Sequence, residues 1–276
     1  MSRVPQTRCS PPTALSYLRL SYPKPRILQI RMDSSATLNA LSVTALREFD
    51  EVLRWLDSEP TLMVAILTGT GRAFCAGADL KHWYRALMGE SNEGFDKLGI
   101  DPLTRRRGKK PVIAAVNGFA FGGGFEFIVN CDIVVAADTA LFGLPEVKRG
   151  LAPNGGVLPR LLHTVGMQVA CELVLTGRQV TAQEMHKWGL VNKVVSLDNL
   201  LVEATRYAEL IANNSPDSII CARAGLRQAW ETGNVDEATS IWSERDFSRL
   251  EKGENAREGL SAFKEKRAPR WVESKL

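Results

Sequence analysis

An α/β fold built on a largely parallel sheet is predicted by three features of this 276-residue chain. Residues 63–68, 111–116 and 133–137 are short, continuous apolar runs, the pattern of strands covered on both faces. Segments with apolar positions at helical spacing separate them, and strands recurring between helices favour a parallel sheet over a sandwich. The run at 111–116 also empties through Gly122, Gly123 and Gly124 into a short apolar segment, 125–131, that reads as a helix.

Composition narrows the function classes. Hydrophobic residues make up 45% and charged residues 24%, which describes a globular chain with ample core. A net charge of +4 is too mild to argue for a nucleic-acid partner. The cluster Arg105, Arg106, Arg107, Lys109 and Lys110 reads either as a solvated loop or as an attraction for a phosphorylated ligand. Five dispersed cysteines show no metal-binding spacing, so reduced thiols and no metal are expected. Three histidines form no Ser/His/Asp constellation, and no apolar run reaches the length of about 18 residues that a membrane span needs.

In chain order, an irregular start over residues 1–16 precedes strands at 17–20 and 27–32, set around Pro23 and Pro25. Leu46, Phe49, Val52, Leu53 and Leu56 predict a helix over 42–56. The strand at 63–68 runs into the small residues 73–78, and Asp79 resembles an N-cap, which makes Ala78 the last loop residue. Residues 84–110 are polar and read as an irregular lid or rim. Beyond 160 the pattern becomes helical: 167–175 closes at Gly177, and Thr181 with Glu184 forms a capping box. Helices follow over 198–213, from Pro216, around Val235 to Trp242, and through Leu260 and Phe263. The expected division is a sheet-containing core over 1–197 and a helical region over 198–276.

The two ends carry conflicting addresses. The first 32 residues hold six basic residues and no acid, as a transit peptide does, but Pro5, Pro11 and Pro12 would break its helix. Ser274-Lys275-Leu276 is the tripeptide read by the peroxisomal import receptor, so a peroxisomal location is expected.

Candidate chemistry gathers at three places. The glycine triplet lets a ligand approach bare backbone and aims helix N-terminal N–H groups at it, with Glu126 one turn away. Such donors beside a carboxylate suit a reaction in which an oxyanion forms while a proton moves. The turn at Ala76-Gly77-Ala78 offers the same access to backbone, and Glu146 supplies a second carboxylate from a loop. Taken singly, each has an ordinary explanation: a tight turn, a surface Glu, or an acid favoured by the helix dipole.

Taken together, these residues resemble the crotonase (enoyl-CoA hydratase/isomerase) superfamily. The resemblance rests on Leu38-Asn39-Ala40-Leu41, residues 73–81, 111–126, Cys131-Asp132, 142–146, 175–177, 188–191 and 258–267. It implies a spiral of ββα units with C-terminal helices that build trimers or dimers of trimers. It implies an acyl-CoA substrate, with CoA entering as part of that substrate and no separate cofactor. The thioester oxygen would be held by the N–H groups of Ala78 and Gly123, with Glu126 and Glu146 catalytic. Ala40, Ala76 and Lys81, with Phe263 and Lys266 of a neighbouring subunit, would contact CoA. Family members that hydrate generally carry both glutamates, whereas double-bond isomerases usually keep one. Hydration is therefore expected, in fatty-acid oxidation or a specialised secondary pathway, with a Δ3,Δ2-enoyl-CoA isomerase as alternative. Some relatives bind RNA, a reading that both glutamates and the mild charge disfavour. Asn154, Phe125 and Phe127 depart from the common pattern and are expected to shape the water and acyl pocket.

Overall fold

The computed structural model describes residues 7–90 and 101–276. Ten strands form two sheets: β1 (Leu18–Lys24), β2 (Ile27–Met32), β3 (Val64–Gly69), β4 (Ala73–Cys75), β5 (Val112–Val116), β6 (Phe119–Phe121), β7 (Ile133–Ala137), β8 (Leu141–Gly143), β9 (Val180–Thr181) and β10 (Lys193–Val195). The larger sheet has the order β1-β2-β3-β5-β7-β10 and the smaller β4-β6-β8-β9. Only β1, paired with β2, runs antiparallel in the larger sheet. The expected largely parallel sheet is therefore present.

The helices are α1 (Val43–Ser58), α2 (Leu80–Leu87), α3 (Asp101–Thr104), α4 (Gly123–Asn130), α5 (Val157–Val165), α6 (Met167–Thr176), α7 (Ala182–Lys187), α8 (Leu200–Ala212), α9 (Pro216–Thr232), α10 (Val235–Trp242), α11 (Ser248–Glu251) and α12 (Glu254–Lys264). A unit of two strands and a helix recurs as β3-β4-α2, β5-β6-α4 and β7-β8-α5. In each unit the first strand enters the large sheet and the second the small one. This repetition stacks equivalent strand-to-helix turns beside one another, which brings the Ala78 and Gly123 turns together.

Several boundaries differ from the sequence reading. The small sheet was not foreseen, because strands of two or three residues are too short to show a period. Residues 84–110 are not uniformly irregular: α2 runs to Leu87 and α3 occupies Asp101–Thr104, while 91–100 lie outside the described residues. Gly123 and Gly124 open α4 instead of preceding it. A Cβ on Gly124 would stand 2.3 Å from the Cys75 carbonyl oxygen, so a side chain there would push α4 off β4. The division at 197/198 runs through a packed layer. Leu200, Ala204, Ala208 and Ala212 of α8 pack on Ile66, Ile113 and Val135 of the large sheet, with Ile219 of α9 packed against the same cluster.

The capping predictions hold. Thr181 and Glu184 complete a capping box and Gly177 closes α6 in the left-handed region, while Ser42, read from sequence as the first residue of its helix, is the N-cap of α1, and Ser215 caps α9. Asn39 has a role that the motif alone did not reveal. It is fully buried at φ +56°, a conformation Asn tolerates better than most residues. Its Nδ2 donates to the carbonyls of Thr70, Ala73 and Phe74, and its Oδ1 accepts from the Ser34 N–H. Asn39→Ala would leave these groups buried without partners and is expected to cost about 3 kcal/mol of stability, measured by urea unfolding.

Candidate active site

The segment 38–41 lies against the 76–79 turn and takes up its backbone groups. Ala76 N–H donates to Leu38 O, Leu41 N–H to Gly77 O, and Asp79 N–H to Leu41 O. Asp79 also caps α2, its Oδ1 accepting from the Lys81 N–H at 3.0 Å. Among the described residues, the Ala78 N–H is left with no acceptor. A parallel selection occurs at α4. Gly122 N–H donates to Gly143 O, and Gly122 O accepts from Glu126 N–H. Gly123, first residue of the helix, has no intrahelical acceptor for its own N–H. The two turns touch: a Cβ on Gly77 would stand 3.2 Å from the Gly123 nitrogen. Two unused donors from separate loops thus face one space.

That space is a cavity of about 230 Å³, lined by Ala76, Ala78, Gly123, Trp83, Leu151 and Asn154, and by both Glu126 and Glu146. Glu126 projects from the first turn of α4 and is 2% exposed. Glu146 sits in the 3-10 turn Pro145–Arg149. A Cβ on Gly122 would lie 3.1 Å from Glu146 Oε1, which places that carboxylate directly against the glycine turn. The Oε2 atoms of Glu126 and Glu146 are buried and have no hydrogen-bond partner among the described residues. Burial, then repulsion from Glu146, pushes the Glu126 carboxyl up to about 7, against an opposing pull from the Gly155 and Val157 amides and Arg105. Burial also raises Glu146, partly offset by its own backbone amide and by Arg149. A coupled pair of this kind retains a proton near neutrality.

The Glu126 shift has a sign for stability. Its folded-state value lies above the ordinary 4.5, so its contribution is complete below about 4.5 and is lost as pH climbs through about 7. Glu126→Gln is expected to match the parent in stability at pH 4 and to exceed it at pH 8 by as much as about 3 kcal/mol. Urea unfolding at the two pH values measures this.

A family model described as enoyl-CoA hydratase/isomerase matches residues 24–274. The chain belongs to this family. It is 47% identical over 258 residues to the mevalonyl-coenzyme A hydratase sidH of Aspergillus fumigatus, covering 93% of this chain and 95% of that protein. It is 43% identical to the mevalonyl-coenzyme A hydratase SIDH of Beauveria bassiana, over 96% of this chain and 98% of that one. Among solved structures, an enoyl-CoA hydratase from Mycobacterium tuberculosis H37Rv superposes with a TM-score of 0.85 at 33% identity, covering 94% of this chain and 99% of that one. The crotonase fold inferred from the motifs is thereby established.

The remaining site residues of this family member divide into three groups. Ala76 and Asn154 line the cavity. Ala40 lies beside it on the 38–41 segment, and Lys81 is exposed in the first turn of α2. Phe263 is 86% exposed on α12 and Lys266 follows that helix, so one chain does not bring either to the cavity. Phe125 and Phe127 require a correction. Both are fully buried in the core, Phe125 edge-on to Phe142 at 6.0 Å and Phe127 to Phe49 at 5.2 Å. On a helix, the neighbours of Glu126 point about a quarter-turn or more away from it, so neither ring reaches the acyl space. Sequence reasoning missed Trp83, Leu151 and Arg149 on the cavity wall, because nothing in their local spacing marks them.

Proposed function

We propose that this chain is an enoyl-CoA hydratase that adds water reversibly to a short, branched 2-enoyl-CoA, the dehydration of a mevalonyl-type thioester being the same reaction run backwards. The observation that carries this reading is the convergence of Glu126, Glu146 and the unused N–H groups of Ala78 and Gly123 on one cavity. In hydration the carboxylate of Glu126 takes a proton from water as the water oxygen bonds to the β-carbon. Electrons move through the α,β double bond onto the thioester oxygen, where the two N–H groups stabilise the charge. Glu146, in its acid form, then delivers a proton to the α-carbon. One carboxylate must be ionised and the other protonated at the start, which suits a raised, coupled pair.

A compact acyl group is supported by the cavity volume and its walls of Trp83, Phe121, Leu151 and Pro153. The names of the two hydratase relatives support a mevalonyl group, whose β-carbon carries the hydroxyl to be lost. Purified protein assayed on mevalonyl-CoA, crotonyl-CoA and a 3-enoyl-CoA tests this. Gain of conjugated-thioester absorbance from mevalonyl-CoA, faster than hydration of crotonyl-CoA, is expected. Turnover of the 3-enoyl ester alone would establish the isomerase instead.

The exposed Leu260 and Phe263 of α12 support self-association as a trimer or dimer of trimers, checked by light scattering. Ser274-Lys275-Leu276 supports a peroxisomal location and the import receptor as a partner. Deleting these residues should disperse an amino-terminally tagged protein through the cytosol. No helix among the described residues is long and apolar enough to cross a membrane.

A further inference from the structure

Behind the 154–156 turn, on the side away from the glutamates, lies a second and larger cavity of about 730 Å³. The basic cluster that the sequence displays at 105–110 does not form a solvated patch. Arg106 and Lys110 are buried, while Arg105 and Arg107 are exposed on the cavity wall. Helices α5, α9 and α11 add Arg160, Arg223, Arg227 and Arg249. With Arg106, Lys109 and Arg245, nine cationic side chains line the space; Glu231, Asp246 and the terminal carboxyl of Leu276 line it with them, the last accepting from Lys109 Nζ.

The existing ion pairs leave this charge only partly compensated. Arg106 pairs with Asp57 at 2.6 Å, Arg107 with Glu231 at 3.5 Å, and Arg245 with Asp246 at 2.9 Å. Arg223 and Arg227 share the single carboxylate of Asp132, at 2.8 and 3.5 Å. Arg106 is only 7% exposed, yet among the described residues its Nε has no hydrogen-bond partner, and the same holds for the buried Nε of Arg227. Burial and then Arg223 bring the Arg227 guanidinium down to about 10, and burial and then Arg105 lower Arg160. These side chains repel one another in a partly enclosed space and retain unused donors, so an anion there would be drawn in strongly.

We propose that this cavity is a binding site for a ligand carrying two phosphates, separate from the hydration site. Planar guanidinium forks match phosphate oxygens in pairs, and arginines from three helices and a loop suit linked phosphates better than a single carboxylate. The volume leaves room for an organic group attached to them. This goes beyond the hydratase reading and does not depend on it.

Isothermal titration of the purified protein with inorganic pyrophosphate tests the site, with adenosine 3′,5′-bisphosphate as a second probe. One saturable site per chain is expected, weakened at least tenfold in an Arg107→Ala/Arg249→Ala double variant and unchanged in Lys264→Ala. Hydratase turnover serves as the folding control for the double variant. Bisphosphate binding that is tighter than pyrophosphate binding and weakens with it in the double variant identifies a nucleotide as the ligand, since binding at the CoA-contacting residues would not change in that variant; tighter binding of pyrophosphate identifies a free polyphosphate. Absence of saturable binding of both probes overturns the proposal, as does equal affinity in parent and double variant. Occupation of the cavity by acidic side chains of a second copy would give the first of those results.

Discussion

Glu126→Gln is expected to lower kcat for hydration by roughly 10²- to 10⁴-fold, the range for removal of a positioned general base, with Glu146→Gln falling by a similar factor. The amide keeps the volume and much of the polarity of the carboxylate, so substrate binding should change little and the loss should appear in kcat. In the parent protein, kcat/KM should fall on the alkaline side as the pair loses its last proton, and the Glu126 carboxyl, raised to about 7 by burial and then by the ionised Glu146, sets the region in which that limb lies. Steady-state kinetics across pH 5 to 9 on the substrate found by the ester panel checks both expectations. Near-parental turnover in either variant would remove that residue from the mechanism and leave the assigned division of labour wrong.

Gly77→Ala is the second substitution with a large expected effect. Gly77 has φ +96°, which a residue with a side chain adopts only under strain. Its Cβ would stand 2.8 Å from the Phe121 carbonyl oxygen and 3.2 Å from the Gly123 nitrogen. Relief requires the two turns to move apart, which separates the Ala78 and Gly123 donors. Losing one donor of such a pair costs roughly 10²- to 10³-fold in kcat, and this is the expected loss here. The side chains of Glu126 and Glu146 are untouched, so the position of the pH profile should be retained while its height falls. A variant that folds, as judged by circular dichroism, and turns over at the parental rate would show that the two N–H groups do not act together.

Much of this site could be read from residue order. The glycine triplet where α4 opens, small residues before Asp79, and two glutamates in separate segments were visible individually, and the motif series named the family. The placement of Phe125 and Phe127 was not legible, since two rings flanking Glu126 look like pocket walls until the direction of each side chain on α4 is known. The basic cluster was misleading for a related reason. Its charges are adjacent in sequence, but Arg106 turns inward to Asp57, and Arg107 is joined by arginines from more than a hundred residues away. Similarly, the motif contained Asn39, but its bonds to Thr70, Ala73 and Phe74 appear only once β4 is in position.

Local pattern by itself determined five of the six strands of the large sheet, all but the three-residue β10, together with the capping box and the membership of a family whose fold is known. Those features arise from interactions within a few residues, or from motifs short enough to be recognised without coordinates. Tertiary structure alone decided which N–H groups remain unused, how deeply Glu126 is buried, and where nine cationic side chains meet. Each of these depends on what distant segments do with the same atoms: the 38–41 segment takes the N–H groups of Ala76 and Asp79 and leaves that of Ala78, and burial of a carboxylate is a property of all its neighbours together.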